Sequence, residues 1–85
     1  MAPRVPGYYI LVGSFRSAGL AAREMRRWRR RKLAVWMEWK QVPGRGAWVR
    51  VMLGPYQKEA AARAAARDFQ RRKLIREFRV LSKLD

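Results

Sequence analysis

The sequence predicts an α+β domain of order β-α-β-β-α-β, a four-stranded antiparallel sheet with two helices on one face. Three observations lead there. Apolar runs of period two alternate with stretches of helical period. The first half of the chain recurs in the second at a constant offset of forty-one positions: Ile10 matches Val51, Val12 matches Leu53, Gly13 matches Gly54 and Phe15 matches Tyr56. The match continues with Ala21 and Ala62, Met25 and Ala66, Trp28 and Phe69, and Leu33 and Leu74, the mark of an internal duplication. Finally, 85 residues with 49% hydrophobic content support one thin core and no more.

In chain order, residues 1–7 carry two prolines and a glycine without periodicity and read as the end of a linker. The domain proper spans 8–81, and 82–85 are a tail. Tyr8–Val12 is β-branched and aromatic, and Gly13-Ser14 breaks it, so a strand and a turn are expected, with Tyr8, Ile10 and Val12 inward and Tyr9 and Leu11 outward. Ser17 is a candidate N-cap for a helix from Ala18 to Arg31, on which Ala21, Met25 and Trp28 form the buried stripe. Arg23, Arg26, Arg27, Arg30 and Arg31 occupy the remaining circumference. Two readings stand open for them: a solvated face whose stems snorkel over the core, or a helix that binds a polyanion.

Leu33–Val42 returns to period two, with Leu33, Val35 and Met37 toward the core and Trp36 and Glu38 away from it. Pro43-Gly44-Arg45-Gly46 makes a hairpin turn. The next strand places Val49, Val51 and Leu53 on one face and Trp48, Arg50 and Met52 on the other, and Gly54-Pro55 is expected to stop it. A second helix over Gln57–Arg72 buries Ala62, Ala66 and Phe69 and carries the four-residue pairs Glu59 with Arg63 and Asp68 with Arg72. A last strand, Ile75–Leu81, turns Phe78 and Val80 inward and Arg79 outward.

Right-handed crossovers put the first and third strands in the middle, the ferredoxin-like or RNP-like arrangement, and leave one sheet face without helices. On that face Tyr9 and Leu11 lie next to Trp48, Arg50 and Met52, with Trp36 further out and Arg79 on the opposite flank. An indole beside a guanidinium suits a ligand that offers both a flat ring and a negative charge. A net charge of +15 points to an anionic polymer, whether nucleic acid, acidic lipid surface or acidic polysaccharide.

Histidine and cysteine are both absent, which removes thiol chemistry, disulfides and the usual transition-metal sites, and six scattered acidic residues suggest no acid/base pair. A non-catalytic binding module without cofactors is expected. Residues 1–7 hold no apolar run for a signal peptide, and no window reaches membrane-spanning length, so the chain reads as cytoplasmic or as a piece of something longer. One reading of the bare sheet is base stacking, as in RNA-recognition modules, although only Trp48 is aromatic on the third strand.

The residues also resemble a known family. Gly13-Ser14-Phe15 after an apolar strand, Ala21 in the following helix, then Trp48-x-Arg50-Val51 running into Gly54-Pro55-Tyr56 and Ala62 are similar to the SPOR domain, the sporulation-related repeat of bacterial envelope proteins. The likeness covers Tyr8 to Leu81. It implies a β-α-β-β-α-β module that binds peptidoglycan, preferring glycan strands stripped of stem peptides, in proteins of cell division. It implies a location on the periplasmic side of the inner membrane, at the septum, with the parent protein membrane-anchored; this segment itself, with no window of spanning length, is expected to make no membrane contact. The family's ligand face carries over onto Ser14, Trp48 and Arg50. Where the family commonly has a glutamine, this chain has Leu11, which lacks an amide for sugar hydroxyls. The partner implied is an anionic polysaccharide, with RNA or DNA as the alternative.

Overall fold

The computed structural model describes residue 3 and residues 5–83, so part of the expected linker and tail lies outside the described residues. Six elements follow in the expected order: β1 (Gly7–Phe15), α1 (Ala18–Arg29), β2 (Val35–Val42), β3 (Gly46–Tyr56), α2 (Glu59–Arg71) and β4 (Arg79–Lys83). They form one antiparallel sheet in the order β2-β3-β1-β4.

Alternation on β3 decides which face the helices cover. Val49, Val51 and Leu53 are all buried, the first two against Ala21 and Met25 of α1 and the third among Trp28, Ala62, Ala66 and Phe69. Both helices therefore lie on one side. β1 and β3, equivalent under the duplication, pair antiparallel at the centre, so an approximate two-fold axis stands perpendicular to the sheet. Trp28 and Phe69, equivalent under the same offset, meet across it with ring centroids 5.2 Å apart.

Neither glycine ends its strand as the sequence suggested. β1 runs on to Phe15 and β3 to Tyr56, each through an irregularity in register. Between Leu11 and Gly13 the partner advances only from Met52 to Val51, so Val12 is the extra residue of a bulge. Between Tyr8 and Ile10 the partner passes from Tyr56 to Leu53, so the second bulge lies at Gly54-Pro55. Each bulge reverses the alternation beyond it and turns an aromatic ring, Phe15 or Tyr56, into the helix-side core.

Ser17 caps α1 as expected, its hydroxyl accepting from the Leu20 N–H at 3.2 Å. Both helices end earlier than predicted because a lysine in the left-handed region, Lys32 with φ 61° and Lys73 with φ 59°, closes each one. The last strand also starts later than Ile75. Leu74 donates back to the Phe69 carbonyl at 2.9 Å, and Ile75 fills the core beneath α2, so pairing with β1 waits until Arg79. Phe78 and Val80 face inward and Arg79 outward, as expected, while Ser82 and Lys83, read as tail, belong to β4.

Candidate ligand face

On the helix-free side the register sets two transverse rows. One runs Trp36, Met52, Leu11, Arg79; the other runs Glu38, Arg50, Ser14. Ser14 reaches the second row only through the bulge at Val12, since strict alternation would have turned it toward the helices.

This face is not flat and bare. Met52 and Tyr9, expected among the surface residues, both have 0% exposure although no helix covers them. Met52 is thus removed from the set of candidate ligand contacts. The cause lies in the edge strands. Glu38 on β2 accepts a hydrogen bond from Lys83 of β4 at 3.0 Å, so long side chains from the two outer strands bridge in front of the two inner ones. That requires a strongly coiled sheet whose diagonal corners approach each other. The Tyr9 hydroxyl donates to the Val5 carbonyl, which holds the chain entering β1 against the same side.

Arg50 donates to the other oxygen of Glu38 at 2.7 Å. Its side chain is 15% exposed and that of Glu38 22%, so the pair is largely withdrawn from water. Arg50 Nε is buried without a hydrogen-bond partner, and the guanidinium remains only partly satisfied. Partial burial pushes the Glu38 carboxyl up, but hydrogen bonds from Arg50 and Lys83 and their positive charge outweigh it, and its pKa lies below the ordinary value.

Trp48 stands at the far end of β3, partly buried, with the Arg16 guanidinium 4.8 Å from its ring centroid. Arg16 also donates a long hydrogen bond, 3.4 Å, to the Arg45 carbonyl in the hairpin turn. One indole face is therefore covered by a cation. Trp36 is partly buried too, and its indole N–H is engaged with the Gly54 carbonyl at 2.9 Å, which braces the second bulge.

A cleft of about 340 Å³ brings Leu11, Ser14 and Arg79 together, with Val12, Gly13, Glu77 and Phe78 completing its walls. It exists because β4 pairs with β1 only as far as Leu11 and Arg79, leaving the bulged edge from Val12 to Ser14 unaccompanied on that side. Ser14 belongs both to this cleft and to the Arg50 row, so it links the two parts of the face.

Three residues of this face escaped the sequence reading. Arg16 follows Ser14 by two and so shares its side of the strand, a signal that was present. Alternation along β2 places Glu38 on this side, but its pairing with Arg50 needs the register between β2 and β3. The reach of Lys83 across the sheet depends on coiling, for which the sequence carries no local sign.

No curated protein and no solved structure matches the chain. The family model of the SPOR domain does, over residues 5–80, which contain every element from β1 to α2 and the first two residues of β4. With nearly its whole length so matched, and with the strand order and open sheet described above, the chain belongs to the SPOR domain family of non-catalytic, peptidoglycan-binding modules of cell-division proteins.

Proposed function

We propose that this chain binds peptidoglycan glycan strands that lack stem peptides, on the helix-free face between the Leu11–Arg79 cleft and Trp48. Removal of the stem peptides exposes the lactyl carboxylates of muramic acid, so the ligand is a polyanion with apolar sugar faces between its charges. Arg50, whose Nη2 already donates to Glu38, pairs with a ligand carboxylate through its remaining Nη donors. The uncovered side of Trp48 packs against a pyranose face, Ser14 hydrogen-bonds a sugar oxygen, and Arg79 adds a second cation on the opposite flank. Leu11 offers an apolar floor where an amide would have read a hydroxyl. Trp36, tied to Gly54, shapes the rim.

The observation that carries this reading is the bulge at Val12, which sets Ser14 directly beside Arg50 and opens the cleft at the strand edge. Such a ligand belongs to the periplasmic side of the inner membrane at the division septum, in a membrane-anchored parent. The alternative, nucleic acid stacked on the sheet, meets the difficulty that Tyr9 is buried and Trp48 is the one ring of the two central strands left for a base on this side.

The test is co-sedimentation with purified sacculi, with and without prior amidase treatment. Wild type is expected to pellet more strongly with treated sacculi, and Trp48→Ala to stay folded and remain in the supernatant. Retained binding by that variant, or a tight base-selective complex with single-stranded RNA at physiological salt, would reverse the reading.

A further inference from the structure

The duplication repeats one more feature: Arg30-Arg31-Lys32-Leu33 at the end of α1 and Arg71-Arg72-Lys73-Leu74 at the end of α2 are the same tetrapeptide at the same offset. Both fold alike. Each lysine is left-handed, and each leucine N–H donates back into its helix, Leu33 to the Trp28 carbonyl at 3.3 Å and Leu74 to the Phe69 carbonyl at 2.9 Å. Trp28 and Phe69 straddle the approximate two-fold, which stands perpendicular to the sheet, so the two basic turns lie at one height on the helix layer. Arg27 spans between them, donating to the Leu74 carbonyl at 2.6 Å.

The layer so formed faces away from the glycan face. Its symmetric pairs Arg26 and Arg67, Arg30 and Arg71, and Lys32 and Lys73 are all exposed. Of these six, only Arg71 meets a carboxylate among the described residues, that of Asp68 at 2.8 Å. The uncharged positions on the outer side are apolar: Leu20 is 48% exposed on α1, and Ala60, Ala61 and Ala64 are exposed on α2. The two aromatic rings of the helices, Trp28 and Phe69, are buried, so α1 and α2 themselves offer no ring on which a base could stack; the exposed ring on the helix side, Trp39, stands apart on the outer strand β2. Phosphate charge together with an apolar boundary is what it can recognise.

We propose that the outer surface of α1 and α2 docks on an anionic phospholipid bilayer, with the paired turns over the headgroup phosphates and Leu20 at the acyl boundary. This revises the expectation of no membrane contact, which rested on the lack of a spanning stretch; peripheral docking needs none. The two faces of the domain then serve two ligands, glycan on the sheet and membrane on the helices.

The experiment is sedimentation of the chain with vesicles of phosphatidylcholine alone and with vesicles containing a third phosphatidylglycerol. Wild type is expected to pellet only with the anionic vesicles. R30Q/R67Q, which removes two unpaired exposed cations, is expected to weaken that partition roughly thirty-fold, at about five-fold per cation, while keeping its binding to amidase-treated sacculi. Trp48→Ala is expected to keep vesicle binding, so failure of the membrane surface and failure of the glycan face are distinguished. Equal pelleting with neutral and anionic vesicles, unchanged partition of R30Q/R67Q, or tighter binding to random-sequence duplex DNA at the same salt would each overturn the assignment.

Discussion

Glu38 and Lys83, on the two outer strands of the sheet, meet at 3.0 Å across a face that no helix covers. The contact closes the front of the central strands, and Glu38 is also the only side-chain partner of Arg50 among the described residues. Replacing Glu38 by Gln leaves two partly buried cations with a neutral neighbour, and the expected loss of stability at neutral pH is about 1–3 kcal/mol. The sign with pH follows from the lowered carboxyl pKa of Glu38. A depressed carboxylate stabilises above its unfolded pKa, near 4.3 for Glu, and that contribution fades as pH falls through the lower folded value. Urea unfolding of wild type and E38Q should therefore show a gap at neutral pH that narrows as the solution is acidified below about pH 4. A gap independent of pH would mean that the contact is not what separates the two proteins.

The same contact bears on the ligand. Glu38 neutralises part of the charge that Arg50 and Lys83 would present to a carboxylate, so E38Q is expected to bind denuded glycan a few-fold more tightly even though it is less stable. Titration calorimetry with soluble denuded strands measures this directly. Weaker binding by E38Q would show that Glu38 is itself a sugar contact, or that it holds Arg50 in the only orientation that works.

The two equivalent glycines should differ sharply when changed to alanine. Gly54 has φ 148°, and a Cβ there would lie 2.9 Å from the Tyr8 carbonyl oxygen and 2.9 Å from the Tyr9 ring. A Cβ at Gly13 would meet only the outer edge of the Phe15 ring, also at 2.9 Å, where a side chain can shift. Gly54→Ala is expected to cost roughly 2–3 kcal/mol and Gly13→Ala distinctly less, read from urea midpoints of the two variants. Equal losses would mean that the Phe15 ring is as immovable as the backbone beside Gly54.

Much of this was legible in the sequence because duplication and periodicity are local signals. The burial of Val49, Val51 and Leu53, the stripes Ala21-Met25-Trp28 and Ala62-Ala66-Phe69, and the outward aim of Trp48, Arg50 and Arg79 all follow from counting in twos or in threes and fours. What periodicity could not reveal were the bulges. Gly13 and Gly54 look like strand ends, and only the pairing of β1 with β3 shows that one residue is absorbed in each place. Ser14 was named through the family resemblance, whereas the reason it faces Arg50 is that bulge. The burial of Met52 and Tyr9 was missed for another reason, since it arises from coiling of the whole sheet and from contact between residues forty-five positions apart, Glu38 and Lys83.

Arg16 provides the sharpest separation between holding the fold and holding the ligand. Its guanidinium lies 4.8 Å from the Trp48 ring centroid near an exposed turn, where a cation–π contact is worth about 0.5–1 kcal/mol. Arg16→Ala should therefore leave the fold intact and lower the thermal midpoint by roughly 2–8 °C. Binding should suffer more, because the cation backs one face of the indole, keeps the other turned to solvent and adds positive charge beside the carboxylates of the ligand. A reduction in affinity for amidase-treated sacculi is expected, smaller than that of Trp48→Ala. Arg16→Lys, which keeps the charge but loses the planar stack and its fork of donors, should fall between wild type and Arg16→Ala. Were Arg16→Ala to bind as wild type does, the indole would have to be oriented by its own strand neighbours alone, and the cation above it would be a bystander.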